Sequence, residues 1–181
     1  EKLFVMFQLQ GSHFYYDNFP EEFNKWSPNC KYDRGIESDS LYINGYDNTI
    51  LYTDYLLNSM LDSLEKQEAI AAVWYVSDHG QTITDTQGWH GSVCDENEYH
   101  VPLCIWYSDE YKLYNENAIK KLGNHIHTPI NSDNIFYTIC GMTHIELPES
   151  YAHEKWDISS YQFEVHPRKI IVAGQIRNLD E

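Results

Sequence analysis

Residues 71–80 read AAVWYVSDHG. The first seven of these residues form a short apolar run of the size expected for a buried β-strand, and Asp78-His79-Gly80 then predicts a turn. Two similar runs stand at residues 3–9 (LFVMFQL) and 101–107 (VPLCIWY). Runs that are apolar throughout, without alternation, are typical of strands buried on both faces of a parallel sheet.

Helical patterns separate these strands. Between residues 47 and 66 apolar side chains recur every three or four positions, which predicts an amphipathic helix with Asn44 or Asp47 as its N-terminal cap. We also predict a short helix over residues 131–140, a late edge strand at residues 170–173 and an irregular surface segment over residues 14–39. Strands that alternate with helices predict the α/β class, with a central, mostly parallel sheet flanked by helices.

The composition argues against several classes of function. The 181 residues include 12 basic and 28 acidic side chains, for a formal net charge of −16. The basic residues form no cluster, which disfavours a nucleic-acid partner. No apolar run approaches the roughly 18–20 residues that span a bilayer, and no secretory signal is evident. Because the chain starts at Glu1 and a predicted strand follows at once, we expect it to begin inside a longer protein.

Cysteines and acidic residues carry weaker signals. The four cysteines lack the CxxC spacing of structural zinc sites, so we expect them to be small buried hydrophobic residues. The acidic residues within 95–98 are expected to form a solvated loop.

Metal-competent side chains follow two of the predicted strands. Asp78 and His79 end the strand at residues 71–77, and His13 follows the strand at residues 3–9. His90 lies beside a glycine on a loop expected at the same sheet edge. Open parallel sheets bind ligands beyond the carboxyl ends of their strands, and a carboxylate with an imidazole suits zinc or a similar divalent ion. We therefore expect a shared site, the alternative being a helix-capping turn with surface histidines.

The other histidines stand in no such context; they are His100, His125, His127, His144, His153 and His166. If residues 125–127 formed a strand, two imidazoles would share one of its faces, two residues apart. A metal site there is a much weaker alternative.

The motifs taken together resemble a known family, the phosphoethanolamine transferases. These are membrane-anchored enzymes of the sulfatase-like branch of the alkaline phosphatase superfamily. The Ser-Asp-His-Gly element alone is shared with sulfatases and lipoteichoic acid synthases, whereas its combination with YDNT and YTD is more specific. The resemblance covers most of residues 3–107 and rests, in order, on Gly11-Ser12-His13, Tyr16, Phe19-Pro20, Tyr46-Asp47-Asn48-Thr49, Tyr52-Thr53-Asp54, Ser77-Asp78-His79-Gly80, His90-Gly91 and Val101-Pro102.

The resemblance implies a fold, a mechanism and a location. The fold is the sulfatase-like α/β sandwich, of which residues 1–181 would be the C-terminal portion of the catalytic domain. The family uses a zinc-bound threonine to take phosphoethanolamine from phosphatidylethanolamine, and a hydroxyl of lipid A or another envelope glycan then attacks the phosphothreonine. By position, Asp78 and His79 would be zinc ligands, and His13 and His90 would contact the phosphoryl group, a second metal or the leaving group. The whole enzyme would lie on the periplasmic side of the bacterial inner membrane.

The resemblance also implies parts that this chain does not match. The family's threonine nucleophile, a further acidic zinc ligand and the membrane helices correspond to positions before Glu1. We therefore expect the chain to need the missing N-terminal half of the domain and to turn over nothing by itself. Gln81 stands where many relatives have Glu.

Several readings stay open beside the transferase. The chain could belong to a sulfatase, to a phosphoglycerol transferase, in which Mn²⁺ could replace zinc, or to a non-catalytic binding module that keeps the fold. The acceptor and the oligomeric state stay open as well.

Overall fold

The computed structural model describes residues 3–35, 38, 40–83, 88–91, 95–151 and 154–180. Its regular elements in chain order are α1 (Leu41–Glu65), β1 (Ala72–Val76), β2 (Thr82–Ile83), β3 (Gly88–Trp89), α2 (Glu96–Tyr99), β4 (Leu103–Tyr107), α3 (Asp109–Tyr114), α4 (Glu116–Asn124), α5 (Asp133–Thr143), β5 (Lys169–Val172) and β6 (Gln175–Asn178). Single 3₁₀ turns lie at Glu21–Phe23, Glu149–Tyr151 and Glu154–Trp156. The mixture of helices and strands confirms the α/β class.

Most of the predicted elements are present. The strands at residues 71–77 and 101–107 are β1 and β4, the helix at residues 131–140 is α5, and β5 lies at the predicted edge strand. The described part of residues 14–39 is irregular except for one 3₁₀ turn, as predicted. The long helix α1 begins at Leu41, earlier than predicted, so its N-cap is Ser40, and neither Asn44 nor Asp47 caps it.

The predicted strand at residues 3–9 is wrong. These residues are in no strand, and the side chains from Leu3 to Phe7 are 53–86% exposed. An apolar run becomes a strand only where another strand pairs with it. Among the described residues, none pairs with this segment.

The strand pairs are antiparallel. Among the described residues, β2 pairs with β3 and β5 pairs with β6 in this sense. β1 pairs with β4, and the N–H of Ser108, just after β4, donates to the carbonyl of Ala71, just before β1, at 2.9 Å. The end of one strand therefore lies beside the start of the other. The apolar runs had suggested parallel pairing, but apolarity reports burial on both faces, and it does not fix strand direction.

The chain divides into two compact units, Glu1–Gln67 with Val76–Leu103 and Glu68–Tyr75 with Cys104–Glu181. The first is organised by α1, whose buried face is small and polar: Gly45, Asn48, Thr49 and Thr53. The Asn48 side chain accepts from the N–H groups of Lys25 and Trp26 at 2.9 and 3.0 Å and donates to the Trp26 carbonyl at 2.9 Å. This one amide therefore satisfies three main-chain groups of an irregular segment.

The second unit has an apolar core. Tyr111, Ile119 and Met142 are buried together, with Trp74 and Ile105 among the half-buried residues packed on them. The Tyr111 hydroxyl donates to the Met142 carbonyl at 2.7 Å, which satisfies the polar end of this large side chain. Within the described residues, no helix is both long and apolar enough to cross a membrane.

Candidate metal and phosphoryl site

Asp78 and His79 lie on the loop that follows β1, in the first unit. The Ser77 hydroxyl donates to the His79 carbonyl at 2.7 Å, and the His79 N–H donates to Asp78 Oδ1 at 3.0 Å, so the turn is fixed by its own side chains. The Asp78 side chain is 87% exposed and that of His79 is 34% exposed. Both groups are thus open to a ligand from solvent.

The protonation pattern of His79 favours metal binding. Its Nδ1 lies 2.8 Å from the Gly80 carbonyl, and because a carbonyl only accepts, Nδ1 carries the hydrogen. In the neutral ring the lone pair then lies on Nε2, which is 3.9 Å from Asp78 Oδ1. Metal-ligating histidines usually donate their other ring N–H to a carboxylate, a backbone carbonyl or water, as Nδ1 of His79 does here. The pair therefore fits zinc, and it would supply two of the four ligands of a tetrahedral site.

His90 lies against His79. The two rings are stacked with centroids 3.9 Å apart and planes 25° apart. The Nδ1 of His90 is 3.3 Å from the Gln81 side-chain oxygen. Burial, followed by the nearby rings of His79 and His13, lowers the pKa of His90 below the ordinary value of 6.5. His90 is therefore biased towards the neutral form, which can accept a proton.

His13 completes the group of imidazoles. Its ring centroid is 6.3 Å from that of His90, at an interplanar angle of 70°. Its Nδ1 lies 2.7 Å from the Phe14 carbonyl, so Nε2 again carries the lone pair of the neutral ring. The structure thus brings together the four side chains that the sequence placed at one site, and their chemical roles stay predictions.

The described residues provide no larger set of metal ligands than the Asp78–His79 pair. Among the described residues, no group of three or more His, Cys, Asp or Glu side chains is arranged to hold a metal ion. The weaker alternative at residues 125–127 is wrong, because this stretch forms no strand. His125 caps the C-terminus of α4, and its ring packs edge-on against Phe163 with the ring centroids 4.9 Å apart. His153 and Cys94 lie outside the described residues.

Glu98 is a site residue that the sequence did not reveal. The acidic stretch around it was expected to be a solvated loop, yet Glu98 lies in α2 and is only 7% exposed. Its carboxylate accepts from the Gly91 N–H at 2.7 Å and from the Thr82 hydroxyl at 2.9 Å. These donors lie 7 and 16 residues earlier in the chain, so no local pattern could have identified Glu98.

Known proteins resemble the chain over much of its length. It is 33% identical over 115 residues to the Kdo(2)-lipid A phosphoethanolamine 7''-transferase of Escherichia coli K12, covering 61% of this chain and 20% of that protein. It is 30% identical over 154 residues to phosphoethanolamine transferase EptA of Salmonella typhimurium LT2, covering 78% of this chain and 28% of that protein. The chain thus spans less than a third of the length of these relatives.

The fold comparison agrees with these relatives. The C-terminal periplasmic domain of EcEptC from Escherichia coli superposes with a TM-score of 0.73 at 18% identity, covering 94% of this chain and 50% of that chain. Its crystal structure in complex with Zn superposes with a TM-score of 0.65. The sulfatase family model matches residues 1–145. From this match and the shared fold, it follows that the chain belongs to the sulfatase family.

Proposed function

We propose that the protein transfers phosphoethanolamine from phosphatidylethanolamine to a hydroxyl of an envelope lipid or glycan, using zinc and a phosphothreonine intermediate. The observation that carries this proposal is the cluster of Asp78, His79, His90 and His13, in which a metal-ligand pair lies beside two further imidazoles. Two of the relatives named above are called phosphoethanolamine transferases of lipid A or of the EptA type, which supports this substrate class.

Each side chain has a separate task in this proposal. Asp78 and His79 would hold zinc, which, when bound, lowers the pKa of a nucleophilic hydroxyl and neutralises phosphoryl oxygens. The Zn complex of the EcEptC domain supports the choice of metal. His90, with its lowered pKa, accepts the proton of the attacking acceptor hydroxyl. His13 donates from Nε2, when protonated, to a phosphoryl oxygen or to the leaving group.

The chain's own residues form part of this machinery. The threonine nucleophile that the resemblance implies matches none of residues 1–181, so we expect the isolated chain to release no diacylglycerol from phosphatidylethanolamine. In the whole protein, the reaction would take place on the periplasmic side of the inner membrane, where the donor lipid and the envelope acceptor meet. No nucleic acid takes part, in keeping with the net charge of −16.

Zinc binding is tested on the protein as its source cells produce it, because Asp78 and His79 would supply only two of the four ligands. Isothermal titration with Zn²⁺ should show at least about a 100-fold loss of affinity in Asp78→Asn and in His79→Ala. Asp54→Asn and His100→Ala are matched controls, because both residues are exposed and lie in the same unit, and they should bind as the unsubstituted chain does. Equal affinity in all four variants would remove Asp78 and His79 as ligands.

The reaction is tested on the protein as its source cells produce it. We would offer it phosphatidylethanolamine, phosphatidylglycerol or an aryl sulfate in the presence of zinc. Diacylglycerol released from phosphatidylethanolamine alone, with a threonine that carries phosphoethanolamine detected by mass spectrometry, is the expected result. Turnover of phosphatidylglycerol or of the sulfate ester instead would assign the phosphoglycerol transferase or sulfatase alternative. Zinc binding without any turnover would favour a binding module.

A further inference from the structure

We propose that Glu98 is a positioning residue that holds His79 and His90 in their stacked arrangement. It touches neither ring through a hydrogen bond and acts on the main chain beside each of them. The consequence for phosphoryl transfer rests on the function proposed above, whereas the effect on the two rings does not.

Glu98 accepts a main-chain hydrogen bond beside each of the two histidines. Its backbone carbonyl accepts from the N–H of Gly80 at 2.7 Å, and its carboxylate accepts from the N–H of Gly91 at 2.7 Å. Gly80 follows His79 directly, and Gly91 follows His90. One residue therefore fixes the peptide on the C-terminal side of each histidine, and thereby the distance between the two histidine backbones.

The second carboxylate oxygen is also used. Glu98 Oε1 accepts from the Thr82 hydroxyl at 2.9 Å, and Thr82 lies in β2, directly opposite Trp89 in β3. This bond sets the orientation of the carboxylate, so that Oε2 points at Gly91. The β2–β3 pair, which lies between the two histidines in the sequence, is thus tied to the same side chain.

Burial indicates that the carboxylate has a specific role. Glu98 is 7% exposed, and burying a carboxylate costs free energy unless its oxygens are hydrogen-bonded. None of the ion pairs formed by the described residues includes Glu98. An apolar residue of similar size would fill the same space without this cost, but it could not accept from Thr82 and Gly91. The two hydrogen bonds are therefore what distinguishes glutamate here.

Close packing fixes the position of Glu98. A Cβ atom added to Gly80 would lie 1.9 Å from the Asn97 carbonyl oxygen, so α2 approaches the histidine loop as closely as a main chain can. The helix has only four residues and could not persist alone. Its N-terminus is held by Asp95, whose side chain accepts from the Asn97 N–H at 2.9 Å.

The precision of this arrangement matters for chemistry. The rings are only 3.9 Å apart, and catalytic geometry tolerates about 0.5 Å of displacement before rate is lost. If Gly91 lost its acceptor, the main chain at His90 would be held by fewer bonds, and the ring would leave its stack on His79. We expect the loss of this stack to lower kcat about 10- to 100-fold with little change in KM, since alignment and not binding is affected.

The test compares four variants by NMR of ring-labelled histidines in the full chain. Glu98→Leu keeps the volume and removes both carboxylate bonds, whereas Glu98→Gln keeps an acceptor for Gly91 and a polar partner for Thr82. Thr82→Val removes only the bond that orients the carboxylate. Glu96→Leu is the matched control, because Glu96 is exposed on the same short helix. Stacked rings shift each other's proton signals, so His79→Ala provides the reference for an unstacked His90.

In Glu98→Leu we expect the His90 signals to move to the positions that they have in His79→Ala. In Thr82→Val they should move part of the way. In Glu98→Gln and Glu96→Leu they should stay in place. Unmoved His90 signals in folded Glu98→Leu would overturn the proposal. If that variant does not fold, Thr82→Val decides, and unmoved signals there would overturn it equally. Transfer from phosphatidylethanolamine is measured separately. A protein without transferase activity would refute the proposed function and leave the ring result standing.

Discussion

The hydroxyls of Thr49 and Ser12 are hydrogen-bonded at 2.8 Å, which links the middle of α1 to the residue before His13. Thr49 is fully buried, and its hydroxyl is also 2.6 Å from the Tyr46 carbonyl. The YDNT motif therefore has a structural explanation within this unit: Asn48 holds the segment around Trp26, and Thr49 holds the loop that presents His13. Both residues support the site without belonging to it.

Replacing Thr49 by valine should release this loop. The change keeps the shape of the side chain and removes the hydroxyl, so the free energy of unfolding should fall by about 1–2 kcal/mol, and the NMR signals of the His13 ring should broaden or move. Thr53→Val is the matched control, because Thr53 is buried on the same helix and its hydroxyl donates to the Thr49 carbonyl at 3.0 Å, within α1 itself. Urea unfolding and ring NMR measure both effects. Equal effects of the two substitutions on His13 would contradict this role.

Gly141 should not tolerate a side chain. A Cβ atom there would lie 2.0 Å from Asp157 Oδ2, and Asp157 cannot easily move because its other oxygen accepts from the Ser159 N–H and hydroxyl at 2.8 and 2.6 Å. Gly141→Ala should therefore destabilise the protein by about 1–3 kcal/mol. Gly123→Ala is the control: it is also helical, nothing lies within 4 Å of its Cβ position, and alanine should stabilise it by up to about 1 kcal/mol. Thermal unfolding shows whether each substitution raises or lowers the stability. A Gly141→Ala variant as stable as the unsubstituted protein would contradict the close approach of Asp157 to Gly141.

Cys30 should react slowly with alkylating reagents. It is buried, and burial, the largest cause, raises the pKa of its thiol from 9.0 to about 11. At pH 8 its thiolate fraction is then about 100-fold below that of an ordinary cysteine, in addition to the steric protection. Cys104 is exposed and serves as the internal control. Peptide mapping after timed iodoacetamide treatment measures both rates. Similar rates at the two cysteines would show that the segment around Cys30 opens readily.

The same shift has a consequence for stability. Between pH 9 and about 11 the unfolded chain loses the Cys30 proton, while the folded chain retains it. Folding then binds a proton, so the contribution of Cys30 to stability is fully present below pH 9 and is lost as the pH rises towards 11. Cys30→Ser should reduce this part of the alkaline loss, which urea unfolding at several pH values would detect.

The pKa of His90 should depend on its neighbours. Burial lowers it most, followed by the charges that His79 and His13 acquire on protonation. His79→Ala removes one of these charges and uncovers part of the ring, so the pKa of His90 should rise towards 6.5. His100→Ala, outside the cluster, should leave it unchanged. NMR titration of the labelled rings measures this directly, and a His90 pKa that does not respond to His79→Ala would mean that the rings are not stacked in solution.

The sequence predicted those parts of the fold that local chemistry determines. β1 and β4 were found because short runs of β-branched and aromatic residues favour strands, and α1 because its apolar residues recur at the helical period. The strand at residues 3–9 was wrong because a strand also needs a partner, which no single segment specifies. The buried face of α1 was unexpected as well: Ile50, one of the recurring apolar residues that predicted this helix, is 44% exposed, whereas Asn48 is fully buried. Hydrogen bonds to a distant loop, and not hydropathy, decide which side of this helix faces inwards.

The candidate site was likewise predictable only where local sequence determines it. His13, Asp78, His79 and His90 were predictable as a group because each lies beside a glycine or at a strand end, where the chain turns and side chains can converge. Glu98 and Thr49 were not, because their roles depend on partners in other parts of the chain. Sequence patterns identify groups that face a ligand more readily than groups that hold those residues in place.

The two compact units are interleaved along the chain, which passes between them after Gln67, after Tyr75 and after Leu103. No single cut can therefore separate them, and neither can be expressed as one uninterrupted segment. On the ribosome, most of β1 is made before residues 104–181, the second part of its own unit. It cannot pair with β4 while the segment that carries His79 and His90 is being synthesised. During translation the histidine segment is thus made between two strands that have yet to pair.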